Sequence, residues 1–361
     1  MVHQFVLSGE VLPLAEGECN DVVVVHCALK TIASRTNVGA TVDVEDCGAA
    51  YRFLVALLAV TPGVWHLTGS PRLLQRPMSE LVTALQSVGA DIARVDGGWR
   101  IVGRELSAPT LEIDCERTSQ YASALLLIAP KLGLRTLQLR PSNMGSLPYV
   151  QLTQLITHSS VSVPALPQTA RVLGRIGDWS AALFWYAKVL LQPENQYLLE
   201  NLSLDSAQGD SIIAQWFSDM GVRSEETVDG VLISAPEGRR MLPSYRFDVG
   251  AHPDVVPVLT ALACLLPADF TFLHTKNLAH KESDRGRMLS EQLSAFADFK
   301  IQDDEIQVVG KPFPSWPSAP YRFQSCNDHR LVMAFLLFGP TACIDDTSCL
   351  RKSYPNLLSF C

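Results

Sequence analysis

Apolar positions along this chain fall into two kinds of segment. In the first, a stripe at helical spacing ends in a small residue and is followed by two short apolar runs around a tight turn. Leu81, Leu85 and Val88 share one helix face before Gly89-Ala90; Ile92 to Val95, the turn Asp96-Gly97-Gly98 and Trp99 to Val102 then read as a hairpin. The same order returns at Ile213, Trp216, Phe217 and Met220, followed by Gly221, Val222, the turn at Asp229-Gly230, and Val231 to Ile233. It returns again at Leu289, Leu293 and Phe296, followed by Phe299 to Ile301, the turn Asp303-Asp304, and Ile306 to Val309. A weaker copy begins at Leu152, Leu155 and Ile156. The repeats lie too far apart for a solenoid and predict a small number of α/β subunits packed around a shared core.

The second kind opens on polar residues and is then apolar on every face, which predicts buried helices. Asp46-Cys47-Gly48-Ala49-Ala50-Tyr51-Arg52 leads into Phe53 to Val60, and Thr118-Ser119-Gln120-Tyr121 into Ala122 to Ile128. Asp178-Trp179-Ser180 leads into Ala181 to Leu191, and Asn327-Asp328-His329-Arg330 into Leu331 to Phe338. Taken singly, each polar opening is explained by helix capping. Taken as a set, buried helices whose first turns converge would present free N–H groups and positive dipole ends to an anion.

Composition narrows the class. The chain has 361 residues, 47% apolar and 18% charged, enough for two domains. Its net charge of -8 argues against nucleic acid as a partner, so any bound anion must be held by a local cluster of basic groups. The apolar stretches Ala49 to Val60 and Val255 to Ala268 are interrupted by Arg52 and Pro257 and are too short to cross a bilayer. Met1 to Leu12 lacks the basic start and apolar core of a secretory signal. Nine scattered cysteines without a CxxC pair suit reduced thiols in a cytoplasmic protein better than disulfides or a zinc site.

Two charged runs stand out against this background, Lys281-Glu282-Ser283-Asp284-Arg285 and Asn327-Asp328-His329-Arg330. Acids interleaved with arginines can hold a guanidinium fork in place while it faces a phosphate or carboxylate. Either run alone also reads as a solvated surface face. Each abuts a predicted helix start, and that favours an anion site.

The motifs Leu74-Gln75-Arg76-Pro77-Met78, Ser119-Gln120-Tyr121, Gln208-Gly209-Asp210, Pro253-Asp254, Lys281 to Arg285, Asn327 to Arg330 and Lys352-Ser353-Tyr354-Pro355 occur in the order seen in the 5-enolpyruvylshikimate-3-phosphate synthase family. From about Val44 to the C-terminus the chain resembles that family. It is less similar to UDP-N-acetylglucosamine enolpyruvyl transferase, which shares the fold. The resemblance implies an α/β protein of the inside-out barrel type, with two similar domains of repeated helix-and-sheet units around buried parallel helices. Residues 1–12 with 177–361 would form one domain, and 13–176, shortened near 30–45, the other, with the active site in the cleft. It implies a cytoplasmic, monomeric enzyme of the shikimate pathway, leading to chorismate and the aromatic amino acids, that acts on small molecules without nucleic acid, membrane, metal or organic cofactor. The family moves the enolpyruvyl group of phosphoenolpyruvate to the 5-hydroxyl of shikimate 3-phosphate and releases phosphate.

Matched motif by motif, Gly48, Arg76, Arg285, Arg330 and Lys352 resemble the phosphoenolpyruvate contacts. Thr118, Ser119, Gln120, Ser146, Tyr149, Asp254, Asn277 and Lys281 resemble the shikimate 3-phosphate contacts, and Asp254, Glu282 and Lys281 fall at catalytic positions. The chemistry asks for such a set. Two polyanions in one site need fixed cations, and adding a hydroxyl across an enol ether needs one group to take a proton and another to give one. Asp254 could instead cap the helix that starts near Val255, and Glu282 could simply orient Arg285.

The N-terminal loop departs from the family. A lysine and an arginine that contact both substrates are replaced, in Leu12-Pro13-Leu14-Ala15-Glu16-Gly17-Glu18-Cys19-Asn20-Asp21, by Glu16 and Asp21. Asp46 and Ala49 also depart from the pattern, and the segment from Leu29 to Asp46 is short. At about 4 Å and an effective dielectric near 20, one charge pair is worth on the order of 4 kcal/mol, so reversing a sign matters. Two readings follow: an active synthase with a modified or weakened N-terminal loop, where another basic group such as Lys30 or Arg35 could take the vacant place, or a non-catalytic relative that keeps the scaffold and binds an anionic metabolite or a protein partner.

Overall fold

The computed structural model describes residues 1–34, 39–141, 147–166, 177–236, 238, 241–311 and 318–360. The chain divides into two compact units, Met1–Val172 and Leu173–Cys361, each with its own apolar core. In the first unit the elements are α1 (Val2–Ser8), α2 (Asn20–Ala33), β1 (Ala40–Asp43), α3 (Gly48–Ala59), β2 (Gly63–Thr68), α4 (Ser79–Ser87), β3 (Asp91–Val95) and β4 (Gly98–Gly103). They continue with β5 (Thr110–Asp114), α5 (Gln120–Leu127), α6 (Ala129–Leu132), β6 (Thr136–Arg140) and α7 (Leu147–Thr157). In the second unit they are α8 (Trp179–Leu191), β7 (Gln196–Glu200), α9 (Ile213–Asp219), β8 (Arg223–Glu226), β9 (Gly230–Ser234), β10 (Ser244–Asp248), α10 (Val256–Leu265) and β11 (Asp269–Leu273). They continue with α11 (Arg285–Leu293), β12 (Ala297–Gln302), β13 (Glu305–Gly310), β14 (Tyr321–Phe323), α12 (His329–Leu336) and β15 (Ala342–Ile344).

One topology occurs in both units. In the first, β1 and β2 are parallel across the buried helix α3, α4 follows, and the hairpin β3-β4 adds to the sheet in the order β1-β2-β4-β3. In the second, β10 and β11 are parallel across α10, α11 follows, and the hairpin β12-β13 completes the order β10-β11-β13-β12. A parallel pair needs a crossover, and an apolar helix supplies it while covering the sheet. Shorter versions, β5-β6 across α5 and β14-β15 across α12, keep only the parallel pair. The three helix-plus-hairpin segments expected from periodicity are α4 with β3-β4, α9 with β8-β9, and α11 with β12-β13. The weaker copy at Leu152 is not of this kind among the described residues. Its helix, α7, leaves Ile156 exposed, and the chain beyond makes one parallel bridge from Ser162 to Thr136.

The helices that are apolar on all sides are buried as expected, with α5 packed against α3 and α7, and α10 against α8 and α12. Burying one leucine or valine side chain contributes about 1.5–3 kcal/mol, so Val256, Val258, Leu259 and Leu262 alone make α10 a main stabilising element. Close approach of sheet to helix explains one matched pair of glycines. At the end of β13, a Cβ on Gly310 would lie 2.5 Å from the Ala263 carbonyl of α10, and at the end of β4 one on Gly103 would overlap the carbonyls of Leu58 and Thr61.

Residues 1–12 belong with the first unit and not, as expected, with 177–361. Val2, Phe5 and Val6 lie on one face of α1 and are buried against the first core, and His3 Nδ1 lies 3.0 Å from the Leu127 carbonyl oxygen. No helix among the described residues is long and apolar enough to cross a membrane.

Candidate active site

In the second unit the two charged runs meet around one side chain. Arg285, 1% exposed at the start of α11, donates from Nε to Asp328 Oδ2 (2.9 Å), from Nη2 to Asp328 Oδ1 (3.2 Å) and Glu282 Oε2 (3.0 Å), and from Nη1 to Asp254 Oδ1 (2.6 Å). Four hydrogen bonds thus leave a guanidinium that carries five N–H groups. Lys281 Nζ lies 3.2 Å from the same Asp254 oxygen, and Lys352 Nζ lies 3.5 Å from Glu282 Oε1. Asp254 and Glu282 therefore each join Arg285 to a lysine.

Local structure explains the arrangement. Asp328 caps α12, accepting from the Arg330 amide (3.0 Å), and the cap turns its carboxylate inward to Ser283 Oγ (2.9 Å) and Arg285. Asp254 does not cap α10, whose N-cap is Val255 without a side-chain bond, so its carboxylate is left for the cations. Glu282 does orient Arg285, and it holds Lys352 as well. Arg330, buried in the first turn of α12, donates from Nη1 to the Ser180 carbonyl of α8 (2.9 Å), while its Nε has no hydrogen-bond partner among the described residues.

Burial alone would raise the pKa of Asp254; Lys281, Arg285 and Arg330 outweigh it and hold the carboxyl well below the usual range. Asp328 is likewise lowered, burial being overcome by Arg285. Arg285 is raised, its desolvation outweighed by Asp328, Asp254 and Glu282. His329 goes the other way. Desolvation, reinforced by Arg330, lowers it from 6.5 to about 4, so the ring is neutral at pH 7.

The first unit carries a second group of cations. Gly48 begins α3, and the Arg76 guanidinium lies against it closely enough that a Cβ at Gly48 would strike Nη1 and come within 3.1 Å of Cζ. Arg52, one turn along the same helix and 2% exposed, donates to the Gly48 carbonyl (3.0 Å) and to Gln120 Oε1 (2.8 Å). Its charge lies 5.8 Å from the Tyr121 ring centroid, and the Tyr121 hydroxyl donates to the Pro77 carbonyl (2.7 Å) beside Arg76. Arg52 read in the sequence only as an interruption of an apolar run; the signal for its role was a lone arginine on an otherwise apolar helix. The cap of α3 is Cys47 Sγ, which accepts from the Ala50 amide (3.4 Å), whereas Asp46 bonds to Ser70.

The remaining expected positions lie as follows. Thr118 Oγ1 accepts from the Gln120 amide (3.3 Å), and buried Ser119 is the N-cap of α5. Tyr149 is half-buried in the first turn of α7, and Asn277 is half-buried in a short 3-10 turn, Lys276–His280. Ser146 and Arg35 lie outside the described residues. Glu16 is exposed in the turn before α2, and Asp21 sits in the first turn of α2, where a negative charge suits the helix dipole. Lys30 lies on the same helix as Asp21. It is exposed in the last turn of the same helix, nine residues on and so about 13 Å away.

Repeated βαβ units with capped, buried helices, and basic side chains gathered at those caps, define an anion-binding α/β protein. The chain belongs to the EPSP synthase (3-phosphoshikimate 1-carboxyvinyltransferase) family, whose model matches residues 14–359. A 3-phosphoshikimate 1-carboxyvinyltransferase of Bacteroides fragilis is 32% identical over 373 residues, covering 96% of this chain and 87% of the relative. One from Dehalococcoides mccartyi is 27% identical, covering 86% and 76%. Among solved structures, EPSP synthase from Acinetobacter baumannii aligns over 98% of this chain and 91% of its own, with a TM-score of 0.66 at 18% identity. The enolpyruvyl transferase NikO from Streptomyces tendae aligns over 87% and 74%, with a TM-score of 0.56 at 17% identity. These two likenesses concern the fold, which is the enolpyruvyl transferase fold expected from the motifs.

Proposed function

We propose that this protein transfers the enolpyruvyl group of phosphoenolpyruvate to the 5-hydroxyl of shikimate 3-phosphate and releases phosphate. The observation that carries the proposal is the pairing of Asp254 and Glu282 through Arg285, each with its own lysine. Two carboxyl groups held on one guanidinium can divide proton transfer between them. Asp254, kept ionised by Lys281 and Arg285, is the acceptor for the 5-hydroxyl proton as that oxygen bonds to C2 of phosphoenolpyruvate. Glu282, entering the step in its protonated form, gives that proton to the methylene carbon C3, which yields the tetrahedral adduct. In the second half, the C2–O bond to phosphate breaks, C3 returns its proton to Glu282, and Asp254 passes its own to the departing phosphate. The other cations serve as anchors: Arg285, Arg330, Lys352 and, beside Gly48, Arg76 for phosphoenolpyruvate, with Thr118, Ser119, Gln120, Tyr149, Asn277 and Lys281 for shikimate 3-phosphate. Fixed cations raise the rate where they face charge that develops in the transition state, and elsewhere they contribute to binding.

Family membership across nearly the whole chain supports turnover over a binding-only role. In this reading the protein is a cytoplasmic monomer that acts on small molecules and needs no metal or organic cofactor. The test is phosphate release from phosphoenolpyruvate with and without shikimate 3-phosphate, for the wild type and a Glu16→Lys, Asp21→Arg double variant. Release that depends on shikimate 3-phosphate supports the proposal. None from either protein, at concentrations that shift the melting temperature, refutes it.

A further inference from the structure

Asp210 is fully buried, and nothing in the proposed reaction uses it. It lies in the Gln208-Gly209-Asp210 motif, which ties down two elements of the site. One carboxylate oxygen, Oδ2, accepts from Ser180 Oγ in the first turn of α8; the other, Oδ1, lies 3.4 Å from His252 Nδ1. Gln208 Oε1 accepts from the neighbouring Trp179 amide (2.7 Å), so the motif grips the start of α8 at two points.

What those two elements hold gives the contacts their meaning. The Ser180 carbonyl is the acceptor for Arg330 Nη1 (2.9 Å). The His252 carbonyl accepts from the Val255 amide (3.2 Å), closing the turn that contains Pro253 and Asp254. Trp216 packs edge-on against the His252 ring, with centroids 5.6 Å apart, and limits its rotation. A single buried carboxylate thus stands behind both the arginine on α12 and the turn that presents Asp254.

We infer that Asp210 is a positioning residue, acting through Ser180 on Arg330 and through His252 on Asp254. The inference rests on the proposed reaction, in which Arg330 anchors phosphoenolpyruvate and Asp254 moves a proton. The experiment measures kcat and both KM values for Ser180→Ala, Asp210→Ala and Asp210→Asn. Ser180→Ala loosens only the Arg330 arm, so the KM for phosphoenolpyruvate rises about fivefold or more while kcat stays within about twofold. Asp210→Ala loosens both arms, giving about a tenfold rise in that KM with about a tenfold fall in kcat. Asp210→Asn, which keeps an acceptor for the Ser180 hydroxyl, returns the KM to within about threefold of wild type.

A role in stability alone would lower apparent kcat with the folded fraction and leave KM unchanged in every variant, and that result overturns the inference. If Asp210→Ala fails to fold, Ser180→Ala decides the matter. If the wild type shows no turnover, the proposed reaction fails on its own, and a crystal structure of Ser180→Ala judges the positioning. Arg330 shifted off the Ser180 carbonyl upholds it, and Arg330 still bonded there at about 2.9 Å overturns it.

Discussion

Replacing Asp328 with alanine removes the principal counter-ion of a buried guanidinium. Asp328 is 0% exposed and takes two of the four hydrogen bonds from Arg285, one from Ser283, and the capping bond of α12. Taking one partner from a buried ion pair costs about 3–5 kcal/mol, because the other charge is left desolvated. A lost helix cap adds about 1 kcal/mol. Asp254 and Glu282 remain in contact with Arg285, and both are partly exposed, so they recover part of the loss. The expected destabilisation is about 4 kcal/mol for Asp328→Ala. Asp328→Asn, which keeps the cap through its one amide oxygen but turns an NH2 donor toward Ser283 and Arg285 Nε, loses about 3 kcal/mol. Set against a typical stability of about 5–15 kcal/mol, the alanine variant stands near its unfolding threshold. Urea unfolding followed by circular dichroism, with native-state hydrogen exchange at the amides of α12 to localise the effect, measures both values. A loss under about 1 kcal/mol for Asp328→Ala would refute the view that Arg285 depends on this carboxylate.

Three further outcomes follow from the geometry. His329, with its pKa lowered from 6.5 to about 4, takes up a proton more readily when unfolded, so stability is full above pH 6.5 and falls by about 1.4 kcal/mol per pH unit down to pH 4. His329→Gln flattens that limb of a urea-midpoint profile; Asp254 and Asp328, whose pKa values are lowered, then govern a separate loss that begins below the ordinary aspartate value of 3.8. Gly48→Ala drives a methyl group into the Arg76 guanidinium and raises the KM for phosphoenolpyruvate about tenfold or more; an unchanged KM would mean that Arg76 does not touch that substrate. Asp21→Arg puts a cation into the first turn of α2 and lowers stability by about 0.5–1 kcal/mol, read as a lower melting temperature at low salt and a smaller difference at high salt.

Much of this was legible in the sequence, for physical reasons. A helix that is apolar on every face must be buried, so α3, α5, α8 and α12 could be read together with their polar first turns. Helix-then-hairpin periodicity marked three sheets for the same reason. What stayed hidden was mostly long-range. Asp328 read as a cap and is also a counter-ion, because the partner that makes it one lies 43 positions away. Asp254 read equally well as a cap or a proton carrier; the structure excludes the cap, and the direction of its carboxylate became visible only with Lys281 and Arg285 in place. The first residues read as part of the C-terminal half by analogy, but the face made by Val2, Phe5 and Val6 had an apolar partner nearer by.

The lysines that flank Asp254 and Glu282 are already engaged, so in the proposed reaction an arriving dianion competes with those carboxylates for the same ammonium groups. Each ammonium drawn toward the newcomer loosens one of the contacts that hold its carboxylate in place. In a site wired this way, substrate entry would unlock the side chains that the reaction needs to move.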